Sequence, residues 1–215
     1  MIIHSLYNFF LPHFRKRRKR LFHRLIRLNP THKILDVGGY PWFWLRMDCS
    51  NWVTCLNLDI PHLSESPPAQ FTYVQGDGRC LPYRDGEFEI VFSNSVIEHV
   101  GDAASQRRFA AEVTRVGRRF WVQTPNRRFP VEQHLLTPFV HWLPRAWQHR
   151  IVPRFTVWTW LVRPARDRRD FYLEHYLNEV RLLDAAEMAA LFPGASILRE
   201  RFLGCTKSLV AVKAR

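Results

Sequence analysis

Short apolar runs that stop at an acidic or small polar residue recur through this chain, and between them the apolar spacing lengthens from two to three or four. Residues 33–40, Lys-Ile-Leu-Asp-Val-Gly-Gly-Tyr, give the first such run, which halts at Asp36 and turns through Gly38 and Gly39. Residues 53–59 alternate and close on Asp59; residues 71–75 lead into Gly76-Asp77-Gly78-Arg79; residues 88–92 lead into Ser93-Asn94-Ser95. Residues 119–124 read as a fifth strand. Helical spacing fills the gaps. Residues 41–47 start a short helix behind Pro41, and Asp102 caps a helix through Val116, with Phe109, Val113 and Val116 inward and Gly117 as its stop. Near the end, Asp184 and Glu187 form a capping box, Pro193-Gly194 ends that helix, and residues 197–203 and 208–213 read as two strands joined at Gly204-Cys205. Strands alternating with helices predict an α/β fold around a mainly parallel sheet.

In a sheet of that kind, ligands bind beyond the carboxyl ends of the strands, where Asp36, Asp59 and Asp77 fall. Glycine admits positive φ and close backbone approach, so Gly38 and Gly39 with Asp36 read as the floor of a nucleotide-like pocket. Bulky Tyr40, Pro41, Trp42 and Phe43 follow, where a dinucleotide fingerprint needs further glycines to admit a pyrophosphate. An adenosine cofactor without phosphate fits better, and S-adenosylmethionine is the common one. Asp59 follows Asp36 at the roughly twenty-residue interval at which an acid takes a ribose diol. Asp77 suits the adenine amino group, while Ser93 and Asn94 leave carbonyls open to an ammonium group.

Charge adds a partner. The 215 residues hold 32 Lys and Arg against 19 Asp and Glu, a net +13, which implies attraction to something anionic. Residues 1–30 run from an apolar, aromatic start through Arg15-Lys16-Arg17-Arg18-Lys19-Arg20 into a predicted helix over 21–28, with Leu21, Phe22, Leu25, Ile26 and Leu28 on one face. That segment would lie on an anionic membrane or a nucleic-acid backbone, or else pack across the cofactor domain with its charges in water. The four cysteines are scattered without metal-ligand spacing, so free thiols and no metal are expected. With no secretory signal or membrane-length run, the expected location is cytoplasmic, peripheral at the inner membrane surface if the basic segment meets lipid.

Ile-Leu-Asp-Val-Gly-Gly, Leu-Asp-Ile at 58–60, the run from Gly76 through Val100, and Thr-Pro-Asn-Arg at 124–127 together resemble class I S-adenosylmethionine-dependent methyltransferases of the type 11 group, over roughly residues 31–128. The resemblance implies a Rossmann-like, seven-stranded, mostly parallel sheet with its last strand antiparallel, occupying 31–215. It also implies that Asp36, Gly38 and Gly39 hold the methionine part of the cofactor, Asp59 the ribose, and Asp77 with the backbone of Arg79 the adenine, with Ser93 and Asn94 facing the sulfonium. Tyr40 departs from the pattern, which often has a small residue there.

Residues 127–177, rich in Trp, His and Arg, exceed what a connection needs and read as an aromatic, basic lid over the acceptor, or as a hydrophobic extension of the core. Methyl transfer needs alignment and, for an O–H or N–H acceptor, a base. His99, His134 and Glu132 are the candidates. The expected activity is methyl transfer to a small, anionic or membrane-associated acceptor; the alternatives are an RNA-directed methyltransferase and a non-catalytic relative docking on a membrane or partner. The sequence specifies no oligomeric state.

Overall fold

The computed structural model describes residues 16–47, 49–59 and 68–214, without the side chain of Trp42. The apolar start at 1–11, Arg15 and Ile60 lie outside the described residues. In chain order the elements are helix α1 (residues 16–26), β1 (Ile34–Val37), α2 (Pro41–Leu45), β2 (Val53–Asn57), β3 (Phe71–Gln75), β4 (Phe88–Asn94), a 3₁₀ turn (Ile97–His99), α3 (Ala103–Val116) and β5 (Gly117–Pro125). The short pair β6 (Val131–Glu132) and β7 (Thr137–Pro138) follows, then α4 (Arg145–Ile151), α5 (Val157–Val162), α6 (Arg166–Glu179), α7 (Ala185–Leu191), β8 (Ser196–Phe202) and β9 (Cys205–Lys213).

Seven strands form one sheet in the order β3-β2-β1-β4-β5-β9-β8, parallel except for β9, which runs antiparallel to both neighbours. This is the expected sheet. The chain leaves β1 toward β2 on one side and returns to β4 on the other, so β1 ends at the switch point where loops part and leave a crevice. Side chains alternate across the sheet. Leu35, Val37, Leu56 and Val91 pack under α3 and α7, while Ile34, Cys55, Ile90 and Phe92 pack under α1 and α2. Asp36 therefore faces the α2 layer.

Helix α1 has its apolar face occupied. Phe22 and Ile26 are fully buried, and the Phe22 ring packs edge-on against Trp44, Phe92 and Trp121 at 5.5–5.9 Å between centroids. The helix covers 16–26 rather than 21–28, because Arg27 takes a φ of 47° and stops it while the basic run continues it backward. One of those cations turns inward: Arg18 pairs with Glu200 at 2.6 Å and donates to Asn94 at 2.5 Å.

Two other expectations shift. β4 continues through Ser93 and Asn94, which pair with Val122 and Gln123 of β5, so the polar residues extend the strand instead of leaving it. The final hairpin turns at Leu203-Gly204, with φ of 47° and 80°, the backbone of a two-residue type I′ turn, and Cys205 already opposes Phe202. Residues 127–182 carry their own hydrophobic cluster, centred on Leu135, Val140, Val152, Leu173 and Tyr176, beneath the long helix α6.

Candidate functional site

Beyond the ends of β1, β2 and β3 lies a cavity of about 560 Å³, bordered by Gly38, Asn57, Asp59, Asp77, Arg79 and His99. That is within the usual range for a drug-sized ligand, roughly 300–1,000 Å³. Gly38 enters the loop with a φ of 78°, and a Cβ there would meet Val96 Cγ2 at 2.4 Å. Its amide donates to Leu56 O at 2.7 Å, and Asn57 Nδ2 donates to Gly39 O at 3.0 Å, so both glycines are pinned to β2.

Asp36 and Gly39 stand behind this floor. The Asp36 carboxylate is buried, accepts from Trp44 Nε1 at 2.7 Å through Oδ2, and has no partner at Oδ1 among the described residues. Burial pushes its pKa up to about 7, and the Trp44 hydrogen bond only partly opposes this. A Cβ on Gly39 would sit 1.7 Å from Asp36 Oδ2, so the loop lies directly on the carboxylate.

Asp59 is exposed at the rim, two residues past β2. Asp77 is tied locally: Arg79 donates to it from its backbone at 2.8 Å and from Nη2 at 2.6 Å, and this holds the carboxyl below the usual carboxylate range. The structure thus gathers Gly38, Asp59, Asp77, Arg79 and His99 at one cavity. Ser93 and Asn94 are not on its lining. The Ser93 hydroxyl is buried and donates to Val37 O at 3.1 Å, tying β4 to β1, while Asn94 faces Arg18 on the α1 side.

The acceptor-side candidates form one cluster. His134 Nδ1 lies 2.7 Å from Glu132 Oε1, and its Nε2 faces His99 Nε2 at 3.2 Å. Glu132 is buried and also accepts from the Leu135 amide at 2.6 Å. Burial alone would lower the His134 pKa, but the Glu132 carboxylate outweighs it and the net shift is upward. Burial and neighbouring imidazoles bring His99 down to about 4, so it is neutral at pH 7. Glu98, adjacent in sequence, is fully buried; Thr124 donates to its Oε2 at 2.9 Å, Oε1 has no partner among the described residues, and burial raises its pKa to about 7. His175 from α6 stacks on His99 at 5.6 Å and pairs with Glu179 at 2.8 Å.

Glu179 borders the cavity too, and sequence reasoning missed it. Its helix opens on Arg-Asp-Arg-Arg-Asp and buries only Leu173, Tyr176 and Leu177, and a lone glutamate two positions beyond that short apolar stripe carries no sequence signal of its own. Phe109, legible only as an inward core residue, walls the same space together with Val96.

Comparison with known proteins agrees with this architecture. Residues 37–119 match the methyltransferase domain family. A methyltransferase of Mycobacterium sp. (strain JLS), itself named as uncharacterized, is 32% identical over 88 residues, 39% of this chain, and the match spans 35% of that relative's length. Among solved structures, the Burkholderia thailandensis 1,6-didemethyltoxoflavin-N1-methyltransferase, with its substrate and S-adenosylhomocysteine bound, superposes with a TM-score of 0.53 at 14% identity, covering 92% of this chain and 76% of that one. A SAM-dependent methyltransferase from Methanosarcina mazei gives 0.52 at 13% identity, covering 89% and 94%. At such identities the superpositions establish the fold.

Proposed function

We propose that this chain, which carries a methyltransferase domain on the class I methyltransferase fold, moves the methyl group of S-adenosylmethionine to a small acceptor bearing an ionisable O–H or N–H. The observation that carries this reading is the convergence of a glycine floor, Asp59 and Asp77 on one cavity that opens beside the His99 and His134 cluster. When bound, the cofactor supplies an electrophilic methyl on a sulfonium. The chain's task is then alignment, exclusion of water and management of the acceptor proton. Gly38 provides the close backbone approach, Asp59 at the rim would accept from a ribose diol, and Asp77 closes the adenine end.

Asp59→Ala should weaken S-adenosylhomocysteine binding by about 1.5 to 3 kcal/mol, the loss of hydrogen bonds to a charged group. Isothermal calorimetry reads this directly, and unchanged affinity would remove Asp59 from the site.

The acceptor in this reading is anionic or membrane-associated, and residues 127–177 close over it. The support is the surface around α5, Val-Trp-Thr-Trp-Leu-Val, none of whose residues is buried. Trp147, Phe155, Trp160 and Phe171 are exposed among Arg145, Arg150, Arg154, Arg163, Arg166 and Arg168. Exposed aromatics interspersed along the chain with arginines suit the headgroup region of an anionic bilayer. Among the described residues no helix is long and apolar enough to cross a membrane, so this contact would be peripheral. The N-terminal basic helix is a poorer anchor, since its apolar face is spent on the sheet. Phe155→Glu combined with Trp160→Glu should reduce partitioning onto phosphatidylglycerol vesicles about tenfold in a sedimentation assay, with S-adenosylhomocysteine binding intact. Equal partitioning by the variant would discard this surface.

A further inference from the structure

We propose that Glu98, His99 and His134 hold a divalent cation of the zinc class, at the edge of the cofactor cavity. One ligand atom from each lies within 4.8 Å of the others, a grouping found among the described residues. The two imidazole Nε2 atoms stand 3.2 Å apart. In a tetrahedral zinc site with bonds of about 2.0–2.1 Å to nitrogen, neighbouring ligand atoms are separated by about 3.3 Å, so the pair already has the spacing of one edge of such a site.

Two further observations point to a ligand. The first is Glu98 Oε1, a carboxylate oxygen on a fully buried side chain that no group among the described residues satisfies. A buried carboxylate usually finds partners for both oxygens, and Thr124 supplies one only for Oε2. The second is Glu132. Its carboxylate lies 2.7 Å from His134 Nδ1, where it would accept an Nδ1–H, and this leaves Nε2 on the side of His99 and Glu98. A carboxylate behind a ligating histidine is the usual outer support of a metal site. The backbone is equally fixed: the His99 amide donates to Val96 O at 2.8 Å and the Arg181 amide to Glu98 O at 2.8 Å. Two histidines and one carboxylate leave a coordination position open, and His99 borders the cavity.

The site itself does not depend on the functional reading; its role does. An acceptor hydroxyl on the open position would lose its proton to solvent more readily. The oxygen would then form its bond to the methyl carbon as the carbon–sulfur bond breaks, leaving a neutral thioether.

The test is titration of the full chain, stripped with a chelator and carrying Cys80→Ser and Cys205→Ser so that exposed thiols contribute nothing. Zn²⁺ is followed by calorimetry and Co²⁺ by its visible absorption. One equivalent should bind. Glu98→Gln, which keeps size and the Thr124 contact, should weaken binding at least tenfold, and Glu132→Gln about 10- to 100-fold. Absence of stoichiometric binding would overturn the proposal, as would equal affinity in a folded Glu98→Gln, His134→Gln double variant. S-adenosylhomocysteine is titrated alongside. Its binding without metal uptake defeats the metal site and leaves the methyltransferase reading standing; metal uptake without it does the reverse.

Discussion

Asp36→Asn is expected to stabilise the cofactor-free protein at pH 8 and to leave its stability near pH 4 almost unchanged. The Asp36 carboxyl has a folded pKa of about 7, against 3.8 as the ordinary value. An acid raised in the fold contributes stability that is fully present below the unfolded value and is lost as pH climbs through the folded one. Between about pH 4 and 7 the fold therefore weakens, and above pH 7 it carries a buried charge whose only partner among the described residues is Trp44 Nε1. The span corresponds to something on the order of 4 kcal/mol. Asparagine keeps the oxygen that accepts from Trp44, and its amide stands where the protonated acid would place an equally unpaired hydroxyl, so it mimics the low-pH form. Thermal melts of both proteins from pH 4 to 9 check this. Parallel curves across that range would show that Asp36 ionises freely in the fold.

Gly39→Ala is expected to remove at least about 3 kcal/mol of stability and to lower S-adenosylhomocysteine affinity about a hundredfold, or 2.7 kcal/mol. The new methyl would fall 1.7 Å from Asp36 Oδ2 and 1.9 Å from Cγ. Asp36 has no room to retreat: it is buried on the central strand and held by Trp44. The loop must lift instead, and with it the Gly39 carbonyl that Asn57 holds against β2. Gly194→Ala is the matched control. Its φ of 79° is strained for alanine, but a Cβ there meets nothing within 4 Å, so only about 1 to 2 kcal/mol should be lost. Urea unfolding together with calorimetry separates the two; equal losses would mean that the contact with Asp36 is relieved by small shifts.

How far the sequence could be read depended on where each signal resided. The order of strands, the caps at Asp102 and Asp184 and the stop at Gly117 were legible because each depends on neighbours within a few positions. The polar stretch after residue 92 misled, since Ser93 and Asn94 are strand residues whose partners, Val37 O and Arg18, are 56 and 76 positions away. Helix α6 offered only a short stripe, Leu173, Tyr176 and Leu177, because it buries one narrow edge and leaves most of its length in water.

By itself the sequence determined the α/β alternation, the acids at successive strand ends and the glycine turn after β1, since these follow from local backbone preference and the period of apolar residues. Only the tertiary structure decided which acids meet the cavity and which lie beneath it, that His99 and His134 face each other, and that Glu179 joins them from a distant helix. Those facts depend on strand order and on the seating of α6, which are set by burial across the whole chain.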